Sequence, residues 1–194
     1  GMGGATSSTS KTVIVSKSSE PGHDVDYLFG QVAIDAPFVD WSGNCGNLSA
    51  AVGGYAITQG FIEPDRVPDN GIAEIRIFQA NIQKTIVAFV PISDGQVQET
   101  GDFELDGVTF PAAEVQLDFL DPADDSEGPM FPTGNVVDAL DVPGLGTFNV
   151  TLINAGIPTI FINAADLGFS GSELQDDINS DSAILARFET LRTY

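Results

Sequence analysis

Residues 40–59 read DWSGNCGNLSAAVGGYAITQ. From Leu48 to Gln59 there is no charged side chain, and small or apolar residues dominate. The spacing predicts a helix, and a helix with no charged face is expected to be buried on all sides. Gly53 and Gly54 each cost such a helix roughly 1 kcal/mol relative to alanine. That cost is tolerable where neighbouring strands must come very close, as they must around a helix threaded through a small, barrel-like sheet. The residues just before the helix, Gly43-Asn44-Cys45-Gly46-Asn47, hold the only cysteine of the chain. The thiol is therefore expected at the helix start.

Strands are expected on both sides. Upstream, a stretch rich in glycine and hydroxyls leads into a β-branched run at residues 12–15. A polar loop follows, then DYLFGQVAI (residues 26–34) reads as a second strand with a bulge at Gly30. Downstream, IAEIRIFQAN, KTIVAFVPI, QVQETGDFEL and VTFPAAEVQLDFL alternate as strands separated by Asp-Gly turns. The polar, Pro- and Gly-rich DPADDSEGPMFPTGN (residues 121–135) marks a boundary. GTFNVTLINA and IPTIFINAADLG then read as strands, and SGSELQDDINS and DSAILARFETLRTY as helices. The order predicts an α+β fold with a mixed sheet. It divides into a first domain over 1–122, a connection over 123–145 and the start of a second domain over 146–194. No internal repeat of fixed period is visible.

Of 194 residues, 28 are Asp or Glu and 7 are Lys or Arg, for a formal net charge of -21. Such a surface repels phosphate backbones and anionic lipid heads, which argues against nucleic-acid and membrane-surface partners. An acidic, lysine-poor skin suits a salt-rich cytoplasm, where ions screen its self-repulsion. One cysteine excludes an internal disulfide framework. No apolar run is long enough for a transmembrane helix. No His/Cys cluster has metal-ligand spacing, and Gly144-Leu145-Gly146 lacks the context of a phosphate loop, so no metal or nucleotide cofactor is expected. Both ends look cut within a longer protein.

The start of a helix offers free backbone N–H groups, an anion site that also favours thiolate. Gly43 and Gly46 leave room for a ligand, and Asn44 and Asn47 add amide groups. The set has the parts of a carboxylate cradle with an acid/base group at its centre. The competing reading makes Cys45 a small buried hydrophobe. The chain has three lysines, Lys11, Lys17 and Lys84. Lys17 and Lys84 read as solvated, and Lys11, between a glycine-rich loop and a strand, could neutralise an anion or carry a proton. The lone His23 reads as a turn residue.

The segments GGATSSTSK, SGNCGNLSAAVG, QETGDFELDGVTFPAAEVQLDFLDPAD, MFPTGN and INAGIPTIFINA together resemble the PrpF family of 2-methylaconitate isomerases. That family belongs to the diaminopimelate epimerase-like fold group. The resemblance runs along essentially the whole chain and implies about half of a family member, without the opening strands or most of the second domain. It implies two similar halves, each a barrel-like sheet round a central helix. It also implies cofactor-independent cis–trans isomerisation of 2-methylaconitate, beside an iron–sulfur methylcitrate dehydratase in the 2-methylcitrate cycle of propionate breakdown. The catalytic pair implied by the family is Lys11 and Cys45. The implied substrate carboxylate site is Ser42, Gly43 and Asn44, with Gly46 and Asn47 from the element shared with the epimerases. A cytoplasmic location and a possible homo-oligomer complete the expectations.

Two departures matter. The epimerases use two cysteines, and this chain has one. Their second-half motif Gly-Asn-Pro-His appears here as Gly156-Ile157-Pro158-Thr159, which argues against action on an amino acid. The alternatives are a 4-oxalomesaconate tautomerase or related polycarboxylate isomerase, and a non-catalytic acidic domain that retains the fold.

Overall fold

The computed structural model describes residues 9–122 and 128–194. The glycine- and hydroxyl-rich opening through residue 8, and residues 123–127 of the expected connection, lie outside the described residues. The chain divides into two compact units, Gly1–Asp121 and Pro122–Tyr194.

The first unit is a seven-stranded mixed sheet with one helix. Strand β1 (Lys11–Lys17) runs antiparallel to β2 (Val25–Val32), whose end also pairs with the short β3 (Val39–Asp40). Helix α1 (Gly46–Thr58) follows. A 3-10 turn at Pro64–Arg66 then leads to β4 (Gly71–Gln79), which lies parallel to β2. Strand β5 (Lys84–Ser93) returns antiparallel and carries β6 (Gln96–Val97) and β7 (Gln116–Leu120) on its other edge. The alternation that marks the strands in sequence sets their inward face. Val25, Tyr27 and Phe29 of β2, Ala73, Ile75 and Ile77 of β4, and Ile86, Ala88 and Val90 of β5 are buried together with Val52 and Ala56 of α1.

Three expectations need correction. Helix α1 is not enclosed on all sides. Ser49, Val52, Gly53 and Ala56 are buried, whereas Ala51 and Tyr55 are exposed. Within the described residues, the face that carries Ala51 and Tyr55 is apolar and uncovered. Gly30 is not a bulge, because it stays in continuous register opposite Thr12. A Cβ there would come within 2.7 Å of Val39 and 2.8 Å of Trp41, so glycine is required by close packing. The two long strands expected over 96–120 shrink to β6, β7 and a single bridge between Phe103 and Ala112. Pro111 and the glycines at 101 and 107 interrupt the ladder there.

The second unit holds an antiparallel sheet of β8 (Asp138–Val142), β9 (Gly146–Asn154) and β10 (Pro158–Ile162). Strand β8 lies inside the stretch read as a connection. A 3-10 turn at Ala164–Leu167 precedes α2 (Gln175–Asn179) and α3 (Ser182–Thr193). Helix α2 is shorter than expected because Glu173 accepts hydrogen bonds from the Ser170 and Gly171 amides, closing residues 170–173 into a turn. Asp181 caps α3 by accepting from Ala183 N–H and Ile184 N–H. Val142, Phe148, Val150, Leu167 and Leu191 form this unit's own core.

Candidate active site

Cys45 is the residue immediately before α1, with the extended backbone of a helix N-cap at φ -122° and ψ 106°. Its side chain is nearly buried, at 9% exposure. Lys11, the first residue of β1, brings its Nζ to 3.3 Å from Cys45 Sγ and donates a hydrogen bond to it. The two are 34 positions apart in sequence, and the sheet joins them: β1 pairs with β2, and the chain leaving β2 turns through β3 into α1.

The start of α1 is left open in a way suited to an anion. No side chain caps its first amides, and no acidic residue stands in its first turn. In a chain with 28 carboxylates, that gap preserves the positive end of the helix dipole. Nothing in the protein lies within 4 Å of a Cβ built on Gly43, and one built on Gly46 meets only Phe119, at 3.8 Å. These glycines therefore answer no packing demand of the described chain, and the space beside them is free. Asn44 Oδ1 is buried without a hydrogen-bond partner, the one such side-chain atom among the described residues of the first unit. An unpaired buried polar atom costs free energy, which a bound group could recover.

Of the other expected residues, Gly46 and Asn47 form the first turn of α1 and are exposed. Ser42 is engaged within the loop, where its N–H donates to Asp40 Oδ1 at 2.9 Å. Hydrogen bonds from Ser42, side chain first and then backbone, hold the Asp40 carboxyl below the usual range. Lys17 forms an exposed ion pair with Glu63, and Lys84 opens β5. His23 bonds Thr85 Oγ1 through Nε2 and packs edge-on against Phe78, away from the Lys11–Cys45 contact. Gly156 sits in the β9–β10 hairpin turn with φ 123°. A cavity of about 730 Å³ in the second unit, between β9, β10 and α3, is lined mainly by apolar side chains such as Val150, Leu152 and Phe188. No group of three or more potential metal-ligating side chains occurs among the described residues.

Several supporting residues went unnoticed in the sequence. Tyr27 on β2 and Ser49 in α1 are both 0% exposed. The Tyr27 hydroxyl donates to the Cys45 carbonyl at 3.3 Å, and Ser49 Oγ donates to the same oxygen at 2.9 Å. Burial pushes the Tyr27 phenol above its ordinary value, so it remains a protonated donor. Asn81 acts like a strand segment. Its amide accepts from Phe29 N–H and donates to the carbonyls of Phe29 and Trp41, which ties the entrance of the 41–45 loop to β2.

The chain as a whole is similar to known proteins. The chain is 72% identical over 197 residues to a 2-methyl-aconitate isomerase of Shewanella oneidensis, covering 100% of this chain and 50% of that one. It is 69% identical over 192 residues to a 2-methyl-aconitate isomerase of Cupriavidus necator, covering 97% and 48%. The chain thus spans about half the length of the curated relatives it matches. A crystal structure of methylitaconate-delta-isomerase matches it with a TM-score of 0.80 at 38% identity, over 99% of this chain and 48% of that one. The α+β fold is therefore the diaminopimelate epimerase-like one. The family model described as PrpF protein matches residues 1–194, and with these relatives the chain belongs to the PrpF family.

Proposed function

We propose that the full-length protein is a cofactor-independent isomerase that interconverts cis and trans 2-methylaconitate. The observation that carries this is the 3.3 Å contact between Lys11 Nζ and Cys45 Sγ at an uncapped, carboxylate-free helix start. An amine and a thiol in hydrogen-bond contact beside an anion cradle suit proton transfer next to a carboxylate. The high identity to two 2-methyl-aconitate isomerases supports the substrate class.

The chemistry needs one proton removed and one returned. One member of the Lys11–Cys45 pair takes the allylic proton, and the C–H electron pair spreads into an extended carbanion conjugated with a carboxylate. The open amides of α1 and the loop at Gly43 and Asn44 stabilise that charge as it develops. Rotation about the bond that has lost double-bond character, then return of a proton, gives the other geometric isomer. The hydrogen bond within the pair allows the proton to be held by either group between the two steps.

The proposed setting is the 2-methylcitrate cycle of propionate breakdown, beside an iron–sulfur methylcitrate dehydratase, in the salt-rich cytoplasm of a halophile. The test is turnover of 2-methylaconitate and 4-oxalomesaconate side by side in the full-length protein. The methylaconitate should turn over faster, with solvent deuterium entering the product. Lys11→Met and Cys45→Ser should each lower turnover by about a hundredfold or more, the scale of a lost acid/base group. Undiminished turnover in both variants would overturn the assignment, and faster turnover of 4-oxalomesaconate would shift it to the tautomerase.

A further inference from the structure

The Cys45 carbonyl accepts three hydrogen bonds. One is the first helical bond from Ser49 N–H, at 3.1 Å. The others come from Ser49 Oγ at 2.9 Å and Tyr27 OH at 3.3 Å. An N-cap carbonyl needs only the first of these to start a helix. The two hydroxyls belong to side chains that are 0% exposed, among apolar neighbours, where a polar group is costly unless it is used.

We infer that Tyr27 and Ser49 are positioning residues: together they clamp the Cys45–Gly46 peptide, aiming the Gly46 N–H out of the helix start and holding the thiol against Lys11. The peptide unit is planar, with its C=O and N–H pointing in opposite directions. Fixing the carbonyl from the core side therefore fixes the Gly46 N–H on the open side. Donors at the carbonyl also polarise the same peptide and strengthen its N–H as a donor. The Cys45 side chain leaves from the residue whose carbonyl is held, so its direction is restrained as well. Tyr27 lies on β2, the strand that pairs with the Lys11 strand. The clamp thus refers both members of the pair to one piece of sheet. The catalytic consequence rests on the isomerase reading above, whereas the geometric one does not.

The test uses Tyr27→Phe and Ser49→Ala, singly and together, in the full-length protein. Tyr27→Phe removes one oxygen and keeps the ring that fills the core. Three readouts are taken: the amide resonance of ¹⁵N-labelled Gly46, the alkylation rate of Cys45 followed on its own peptide, and kcat with KM. The clamp predicts a shifted Gly46 resonance and an altered alkylation rate in each single variant. It predicts kcat lower by about tenfold per lost bond, with KM changed by less. A loss of packing alone would lower the unfolding midpoint and leave kcat at a temperature well below that midpoint unchanged. An unmoved Gly46 resonance and an unchanged alkylation rate in Tyr27→Phe overturn the clamp. So does an unchanged kcat in an active protein. If the parent protein turns over neither polycarboxylate, the isomerase reading fails, and the resonance and alkylation readouts still decide the clamp.

Discussion

Gly53→Ala offers a sharp test of how α1 is seated. A Cβ at Gly53 would lie 2.8 Å from Val90 Cγ2 and 3.1 Å from Ala88 Cβ. Carbon atoms prefer separations of about 3.5–4.0 Å, so the helix must lift or Val90 must leave its rotamer. Val90 and Ala88 are both 0% exposed, and Ala88 has no rotamer to change. Overpacking of this kind costs about 1–3 kcal/mol. Two contacts this short place the overpacking in the upper part of that range, about 2–3 kcal/mol, and alanine returns about 1 kcal/mol of helix propensity, so the net loss is of the order of 1–2 kcal/mol. Gly54→Ala is the control. Its Cβ would meet Val97 at 3.4 Å, an ordinary contact, so the propensity gain should prevail. With a urea slope of roughly 2 kcal/mol/M, Gly53→Ala should lower the midpoint by about 0.5–1 M and Gly54→Ala should leave it equal or raise it. Trp41, the only tryptophan of the chain, lies in the first unit and reports its unfolding by fluorescence. A Gly53→Ala midpoint at or above that of the parent would refute the reasoning, as would equal losses at both positions.

Other consequences are open to direct measurement. With a net charge of -21, the urea midpoint should rise as KCl goes from about 0.1 M to about 1 M, where the screening length falls from about 10 Å to about 3 Å; a flat response would count against a halophilic surface. Glu173 is held down to about 2 from 4.5, first by the Ser170 backbone N–H and then by the Ser170 hydroxyl. A depressed carboxyl contributes stability that is present above 4.5 and lost as pH falls through about 2. Glu173→Gln should therefore be less stable at neutral pH and lose less stability across that window, as urea titrations at several pH values would read. An unchanged pH profile would show that the Ser170–Glu173 turn contributes nothing to folding.

Much of the fold was legible because burial follows simple periods. Alternation located β2, β4, β5 and β9, and the glycine pair in a charge-free run located α1. The misreadings came where one residue type answers to two causes. Gly30 looked like a bulge because the crowding by Val39 and Trp41 comes from β3 and the loop beyond it, which local sequence does not display. The outer face of α1 looked like core because Ala51 and Tyr55 are as apolar as Val52 and Ala56. At the candidate site, Cys45 could be placed at a helix start from its neighbours alone, Lys11 stood out as one of three lysines, and the resemblance joined the two as a pair. The distance between them could not be read, since it depends on the β1–β2 register and the turn through β3. Tyr27, Ser49 and Asn81 act through long-range bonds to backbone atoms, and such bonds leave no local pattern.

The central claim is that the Lys11–Cys45 contact at the start of α1 is where a polycarboxylate reacts. The most direct test is the rate of Cys45 alkylation in the full-length protein, followed on the Cys45 peptide, with and without trans-aconitate. A tricarboxylate seated on the open α1 amides covers the thiol. At ten times its dissociation constant it should slow labelling about tenfold, and Lys11→Met should weaken that protection. Labelling that proceeds at the same rate whether or not saturating trans-aconitate is present would contradict the claim.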